Sequence, residues 1–330
     1  MKQKLMLFSL MLLMVISGCQ KDIPAIELTT SPDQLQGKSE DSDDESGNCR
    51  LVFDDRDGIY GNFFKYNDRG LVDKWTIDYY DGYPEVYTFT YDNSKRLNTG
   101  HCVRYYNGKS YDIKYKFQAN KLIRETWFNA GTAIIADDLV NTYNTKGQII
   151  IRKSVTKNIK CTFTYDNYGN NPLVNFYVND VLVLKEEYSH FQRNRNPLTS
   201  LNGIPVILPY YDFVISRWWE TSQKWTIYDE GGPTVIIDMD PSTCVMHLGP
   251  HKYLRSVSNF DRAVQTNTTA VFEYENCSGD DNSNSSASKN VSTAKNPRSA
   301  SIAKFKRALF PGQSEDIMVE LKKLKKELNQ

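Results

Sequence analysis

A chain of 330 residues with 40 basic and 40 acidic side chains carries no formal net charge, so no overall positive field draws it to nucleic acid and that class of partner is excluded. Its 21 tyrosines, 15 phenylalanines and 5 tryptophans offer enough aromatic area for a sizeable core.

Residues 1–18 read as a targeting segment. Lys2 and Lys4 give a positive start, and Leu5 to Ile16 is an apolar run too short to span a bilayer. Ile16-Ser17-Gly18-Cys19 then has the form of a lipobox, after which bacterial lipoproteins are cleaved. Cys19 is therefore the expected lipidation site and the membrane the expected partner; ordinary secretory cleavage beside an incidental cysteine is the competing reading. Residues 19–48 are poor in apolar groups and include the acidic run Glu40-Asp41-Ser42-Asp43-Asp44-Glu45, so they are expected to form a flexible tether. A coil of that length reaches about 30 Å.

The body spans residues 49–277 and is organised by a repeat. Phe89-Thr90-Tyr91-Asp92-Asn93-Ser94-Lys95-Arg96-Leu97 has relatives around Tyr66, Phe117, Tyr143, Tyr165 and Phe191, with the aromatics about 22 to 26 residues apart. Along Val86 to Tyr91 the side chains alternate, so Tyr87, Phe89 and Tyr91 share one strand face. Asp or Asn then opens a polar turn, and Gly70, Gly147 and Gly169 fall where a hairpin on a type I turn needs a left-handed residue. Such a hairpin cannot bury its aromatic face alone, so neighbours are expected to join side by side into an antiparallel sheet.

These residues resemble the tyrosine-aspartate (YD, or RHS-like) repeats, and more closely a group of uncharacterised Bacteroidetes lipoproteins with degenerate units of that kind. The resemblance runs from Phe63 to Leu198 and takes in Asn171-Pro172, Asn196-Pro197 and a closing strand like Val271-Phe272-Glu273-Tyr274-Glu275 before cysteine. Gln118 and Gln192 depart from it by replacing the acid. It implies an envelope protein with no established activity. Gln20-Lys21-Asp22 partly resembles the lysine-plus-acid tag that sends such lipoproteins to the cell surface.

Beyond the repeats, Ile204 to Trp219, Lys224 to Tyr228 and Thr234 to Met239 read as further strands. Trp218, Trp219 and Trp225 are the densest tryptophan cluster and the candidate ligand-binding residues, since an outward indole can stack on a sugar ring; burial in the aromatic core is the alternative. Asp238 and Asp240 share a strand face and could hold calcium or act as acid and base, against the plainer reading of solvated acids. His247 and His251 are separated by Gly249-Pro250, which forbids a shared helical face. Six cysteines are present; Cys49 with Cys277 would staple the ends of the body, and Cys161 reads as a small buried hydrophobe. None has the spacing of a metal or redox site, and no catalytic motif or cofactor signature occurs, so the expectation is no enzyme, no cofactor and no metal.

Residues 278–301 turn abruptly polar and are expected to be a disordered linker. Residues 302–330 form a helical tail in which Ile317, Leu321, Leu324 and Leu328 make one stripe. Docking on a partner or on lipid headgroups through Lys322, Lys323, Lys325 and Lys326, and folding back on the body, both remain open; the linker predicts a tail separable from the body. The fold expected is thus an all-β body, an antiparallel sheet of repeated hairpins, with linker and tail. The role expected is a surface-exposed outer-membrane lipoprotein that binds or scaffolds a protein or glycan without catalysis. A glycan-binding accessory protein of nutrient uptake, or a glycan-active hydrolase, is the alternative.

Overall fold

The computed structural model of the chain describes residues 49–56, 60–201, 216, 218–249, 253–263, 265–277, 301, 305, 307 and 317–328. Cys19, the targeting segment, the tether, nearly all of the linker and most of Ile204 to Arg217 lie outside the described residues, as does His251.

Eighteen strands are described. They are β1 (Arg50–Arg56), β2 (Tyr60–Tyr66), β3 (Val72–Asp78), β4 (Glu85–Tyr91), β5 (Leu97–Arg104), β6 (Lys109–Gln118), β7 (Lys121–Asn129), β8 (Ile135–Tyr143) and β9 (Ile149–Ser154). They continue with β10 (Ile159–Thr164), β11 (Leu173–Val178), β12 (Val181–Ser189), β13 (Gln192–Arg195), β14 (Trp218–Trp219), β15 (Ser222–Asp229), β16 (Gly232–Leu248), β17 (Leu254–Asp261) and β18 (Thr266–Glu275). A helix, α1 (Ile317–Leu328), follows in the tail. The antiparallel sheet expected from the hairpins closes on itself: β1 pairs with both β2 and β18, giving a barrel of 16 strands in which only β13 and β14 stand aside as a separate ribbon. Closure removes the sheet edges that stacked hairpins would otherwise expose.

The turn chemistry is visible at four of the six repeats. Asn67, Asp92, Asn144 and Asp166 each accept backbone N–H groups on their own side-chain oxygen, as Asp166 does from Tyr168 and Asn170 at 2.8 and 2.9 Å. The left-handed position is filled by Gly70, Gly147 and Gly169, and by Lys95 in the Asp92 unit. The Phe117 unit departs from this pattern: its turn is just Ala119-Asn120, both at positive φ, the two-residue hairpin connection. The unit around Phe191 departs further, since its return segment leaves the barrel to form the β13–β14 ribbon. The aromatic before the turn has a second task. Tyr66 and Tyr143 donate from their hydroxyls to the carbonyls of Leu51 and Leu122 at 2.7 and 2.8 Å, and Tyr91 donates to that of Val72; Tyr274, on the closing strand, makes the same bond to Leu254 at 2.9 Å.

Inside, one cluster gathers Trp75, Tyr87, Tyr111 and Trp127 with Leu254 and Phe272; a second gathers Leu139, Cys161, Phe163, Phe176 and Ile236. Porins with this many strands leave an aqueous channel. Here the inward side chains are bulky, and Trp75, Tyr87, Trp127 and Phe176 are all at 0 % exposure, so the interior is filled. The outer wall is polar: Lys65, Thr88, Lys114, Arg124, Lys153 and Lys224 are all exposed there.

The tail is not separate from this body. Ile317, Leu321 and Leu324 are buried with Phe305 in the second cluster. Of the two readings, folding back is the one observed, and the apolar stripe is occupied by the chain's own core. The side chain of Leu328 lies outside the described residues.

Candidate functional site

Antiparallel connection sorts the hairpins onto the two ends of the barrel. The repeat turns at 67–71, 92–96, 144–148 and 166–170 lie at one end, together with the Cys49–Cys277 disulfide. The connections β3–β4, β5–β6, β7–β8, β9–β10, β11–β12 and β15–β16 lie at the other.

Between the two apolar clusters runs a polar seam. Glu85 and Arg104 stand opposite each other on β4 and β5, both fully buried, at 3.3 Å; Tyr87 donates to the same carboxylate oxygen at 3.0 Å. Arg104 lies over the rings of Tyr111 and Trp127, the Trp127 N–H donates to Glu125 at 2.6 Å, and Arg152 donates to Glu125 at 3.2 Å. Burial raises the proton affinity of Glu85, with Arg104 and the Tyr87 hydrogen bond opposing. Burial likewise pushes the Cys102 thiol up to about 12, so it is no thiolate nucleophile at neutral pH. Glu85 and Glu125 have an acid–base pair's chemistry but 0 % and 2 % exposure, which leaves a substrate no approach. The seam organises the core.

At the second end, the guanidinium of Arg307 sits over Tyr79 and Tyr106 at 4.0 and 4.6 Å and binds both oxygens of Asp81 at 2.7 and 3.0 Å, with a third bond to the Tyr83 carbonyl at 3.0 Å. Lys325 of α1 bonds Asp229 and the Gly232 carbonyl. The tail therefore closes this end. At the first end a groove of about 290 Å³ lies between neighbouring turns, lined by Asn144, Lys146, Gln148, Phe163, Tyr165 and Asp166.

The sequence-predicted residues fall elsewhere. Trp219 is 5 % exposed and packs edge-on against Phe272 in the first cluster, while Trp225 is 6 % exposed in the second. The two are not brought together, and neither presents a ring face for stacking. Of the two readings offered by the sequence, burial in the aromatic core is the one observed for Trp219 and Trp225. The side chain of Trp218 lies outside the described residues. Asp240 is committed to Arg262 at 2.6 Å and to Ser242, and Met239 between it and Asp238 packs inward, so the two acids do share the outer face. Among the described residues no group of three metal-ligating side chains occurs. Cys49 and Cys277 form a disulfide and Cys161 is at 0 % exposure. Sequence reading missed the seam, although its signal was present: Glu85 and Glu125 each stand two residues before an inward aromatic, at positions the alternation assigns to the interior.

The sequence matches no protein-family profile and no curated protein. Among solved structures, a porin-like protein from Bacteroides uniformis resembles it at 10% identity over 66% of this chain and 90% of the other, with a TM-score of 0.41. A porin-like protein from Bacteroides vulgatus does so at 8% identity over 68% and 98%, TM-score 0.33. The Photorhabdus luminescens Tc holotoxin pore matches at 12% identity over 61% of this chain and 12% of that chain, TM-score 0.22. These are distant likenesses.

Proposed function

We propose that this protein is a non-catalytic binding or scaffold module held at the cell envelope by lipid on Cys19. The observation that carries the reading is a filled interior inside a charged wall. Trp75, Tyr87, Trp127 and Phe176 occupy the space where a pore would run. A wall bearing Lys65, Lys114, Arg124 and Lys224 does not suit hydrocarbon, where a Lys or Arg at the midplane of a barrel costs about 2–4 kcal/mol. The work is then done by the outer surface, and the sealed carboxylates of the seam support a role without catalysis. The anchor comes from the sequence, where a charged start, a short apolar run and Gly18-Cys19 follow in order.

The test is metabolic labelling with a fatty acid in the wild type and in Cys19→Ala, with protease treatment of intact cells to read the facing and planar-bilayer recording to read conductance. Label on the wild type alone, digestion from outside and no stepwise conductance are expected. Label retained by Cys19→Ala, or discrete channel openings, would overturn the reading.

A further inference from the structure

The exposed apolar side chains of the barrel are unevenly placed. Tyr83, Tyr105, Ile134, Ile135, Val155 and Val181 are 46 % to 64 % exposed. They belong to β3–β4, β5–β6, β7–β8, β9–β10 and β11–β12, five successive hairpins at the end closed by the tail. A solvated hairpin tip has no need of isoleucine, and five consecutive tips carrying tyrosine, isoleucine or valine make a rim. Val319 of α1, 46 % exposed, adds to the same end.

The charge around this rim leans positive. Of its carboxylates, Asp81, Asp180 and Asp229 are bonded to Arg307, Lys160 and Lys325, and Glu230 in the β15–β16 connection is exposed. Lys109, Lys322 and Lys326 instead point to solvent, the latter two because the buried stripe of α1 fixes the helix with its lysines outward. Apolar and tyrosine tips among exposed lysines match the boundary between anionic headgroups and acyl chains. The chain outside the structure permits the approach. The tether joins the body at Cys49, at the opposite end. Strands of 7 to 10 residues span roughly 20 to 30 Å, which a coil reaching about 30 Å can match.

We propose that this rim rests on an anionic lipid surface, so that the barrel lies tip-down on the membrane that anchors it. The inference rests on the lipid-anchored reading above. Five shallow apolar tips and three lysines give a reversible contact, with the acyl chains supplying permanence. Such a contact fixes the orientation of the module: the opposite end, with its repeat turns and the groove by Lys146, faces away from the lipid.

The test uses the full acylated chain on vesicles of phosphatidylglycerol and phosphatidylethanolamine. An environment-sensitive fluorophore is attached at Val181→Cys or Val155→Cys, or at Lys146→Cys as the opposite-end control, each with Cys244→Ser. Flotation reports the anchor and quenching by lipid-borne nitroxide reports the rim. Expected are quenching and a blue shift at positions 181 and 155 but not 146, with the rim contact about fivefold weaker for each of Lys322→Gln and Lys326→Gln. Floating protein without quenching at 181 and 155, or equal quenching at 146, overturns the rim contact while leaving the anchor standing. Wild type that fails to float overturns both. A blue shift at 181 already present without vesicles, with dimer-sized protein, assigns the rim to a second copy and also overturns the proposal.

Discussion

Arg104 and Glu85 face one another directly across neighbouring strands, Nε to Oε2 at 3.3 Å, with both side chains at 0 % exposure. Such a pair adds little over a well-packed apolar substitute, but breaking it strands a charge. Arg104→Met should therefore cost about 3–5 kcal/mol, and Arg104→Met with Glu85→Gln should recover much of that loss. Urea unfolding of the four proteins closes the cycle; a double variant no more stable than Arg104→Met would refute the coupling.

The tyrosine hydroxyls that reach back to a carbonyl on an earlier strand form a second set. Tyr143→Phe and Tyr274→Phe each remove one bond, to Leu122 at 2.8 Å and to Leu254 at 2.9 Å, and leave the ring in place. Each should lower stability by about 1 kcal/mol, with the two losses adding because the sites share no partner. Midpoints that stay at the wild-type value in both variants would show that water replaces the tyrosine at no cost.

Much of the barrel is written locally. The period-two run from Val86 to Tyr91 gives a strand, and the Asp92 side chain with Lys95 at positive φ gives its turn, because both signals act within a few residues. The neighbours in the barrel are mostly sequence neighbours, so hairpins alone deliver most of the order. Closure was less legible: β1 meets β18 through backbone bonds that any sequence can make, and only the Cys49 and Cys277 bookends hint at it. Between burial and exposure of Trp219 and Trp225 the sequence could not decide, because the side of a strand that a residue occupies depends on register, not on composition. Arg307 was invisible as a core residue, since its partner Asp81 lies 226 positions away.

The disulfide joins the strands that close the barrel, across a separation of 228 residues. Chain-entropy arguments give a link of that length up to about 5 kcal/mol. Cys49→Ser with Cys277→Ser should unfold at markedly lower denaturant, and reduced wild type should match it. A reductant that leaves the wild-type midpoint unchanged would mean that strand pairing alone holds β1 against β18.

Acid should release a surface clamp. Hydrogen bonds from the Ser242 side chain and backbone, then Arg262, hold Asp240 at about 2 against an ordinary 3.8. A carboxyl depressed in the folded state stabilises above its ordinary value, and that contribution is lost as pH falls from about 4 towards 2. The stability gap between wild type and Asp240→Asn should accordingly shrink over that interval. A gap constant from pH 5 to pH 2 would show that the carboxylate contributes nothing there.

The tail gives the sharpest test, because polar linker composition and buried packing predict opposite results. Leu321 and Leu324 are 3 % and 2 % exposed in the cluster that holds Phe163 and Phe176. Leu324→Ala should cost about 2–5 kcal/mol through lost transfer energy and the cavity left behind. Lys322→Ala, on the outer face of the same helix, should stay within about 0.5 kcal/mol. Removing residues 278–330 also takes away Phe305 and the Arg307 bonds to Asp81, and uncovers the second apolar cluster at that end. The truncated chain should then unfold at lower urea and bind a hydrophobic dye. If it instead keeps the wild-type midpoint and slope, the tail is an appendage and the core is complete without it.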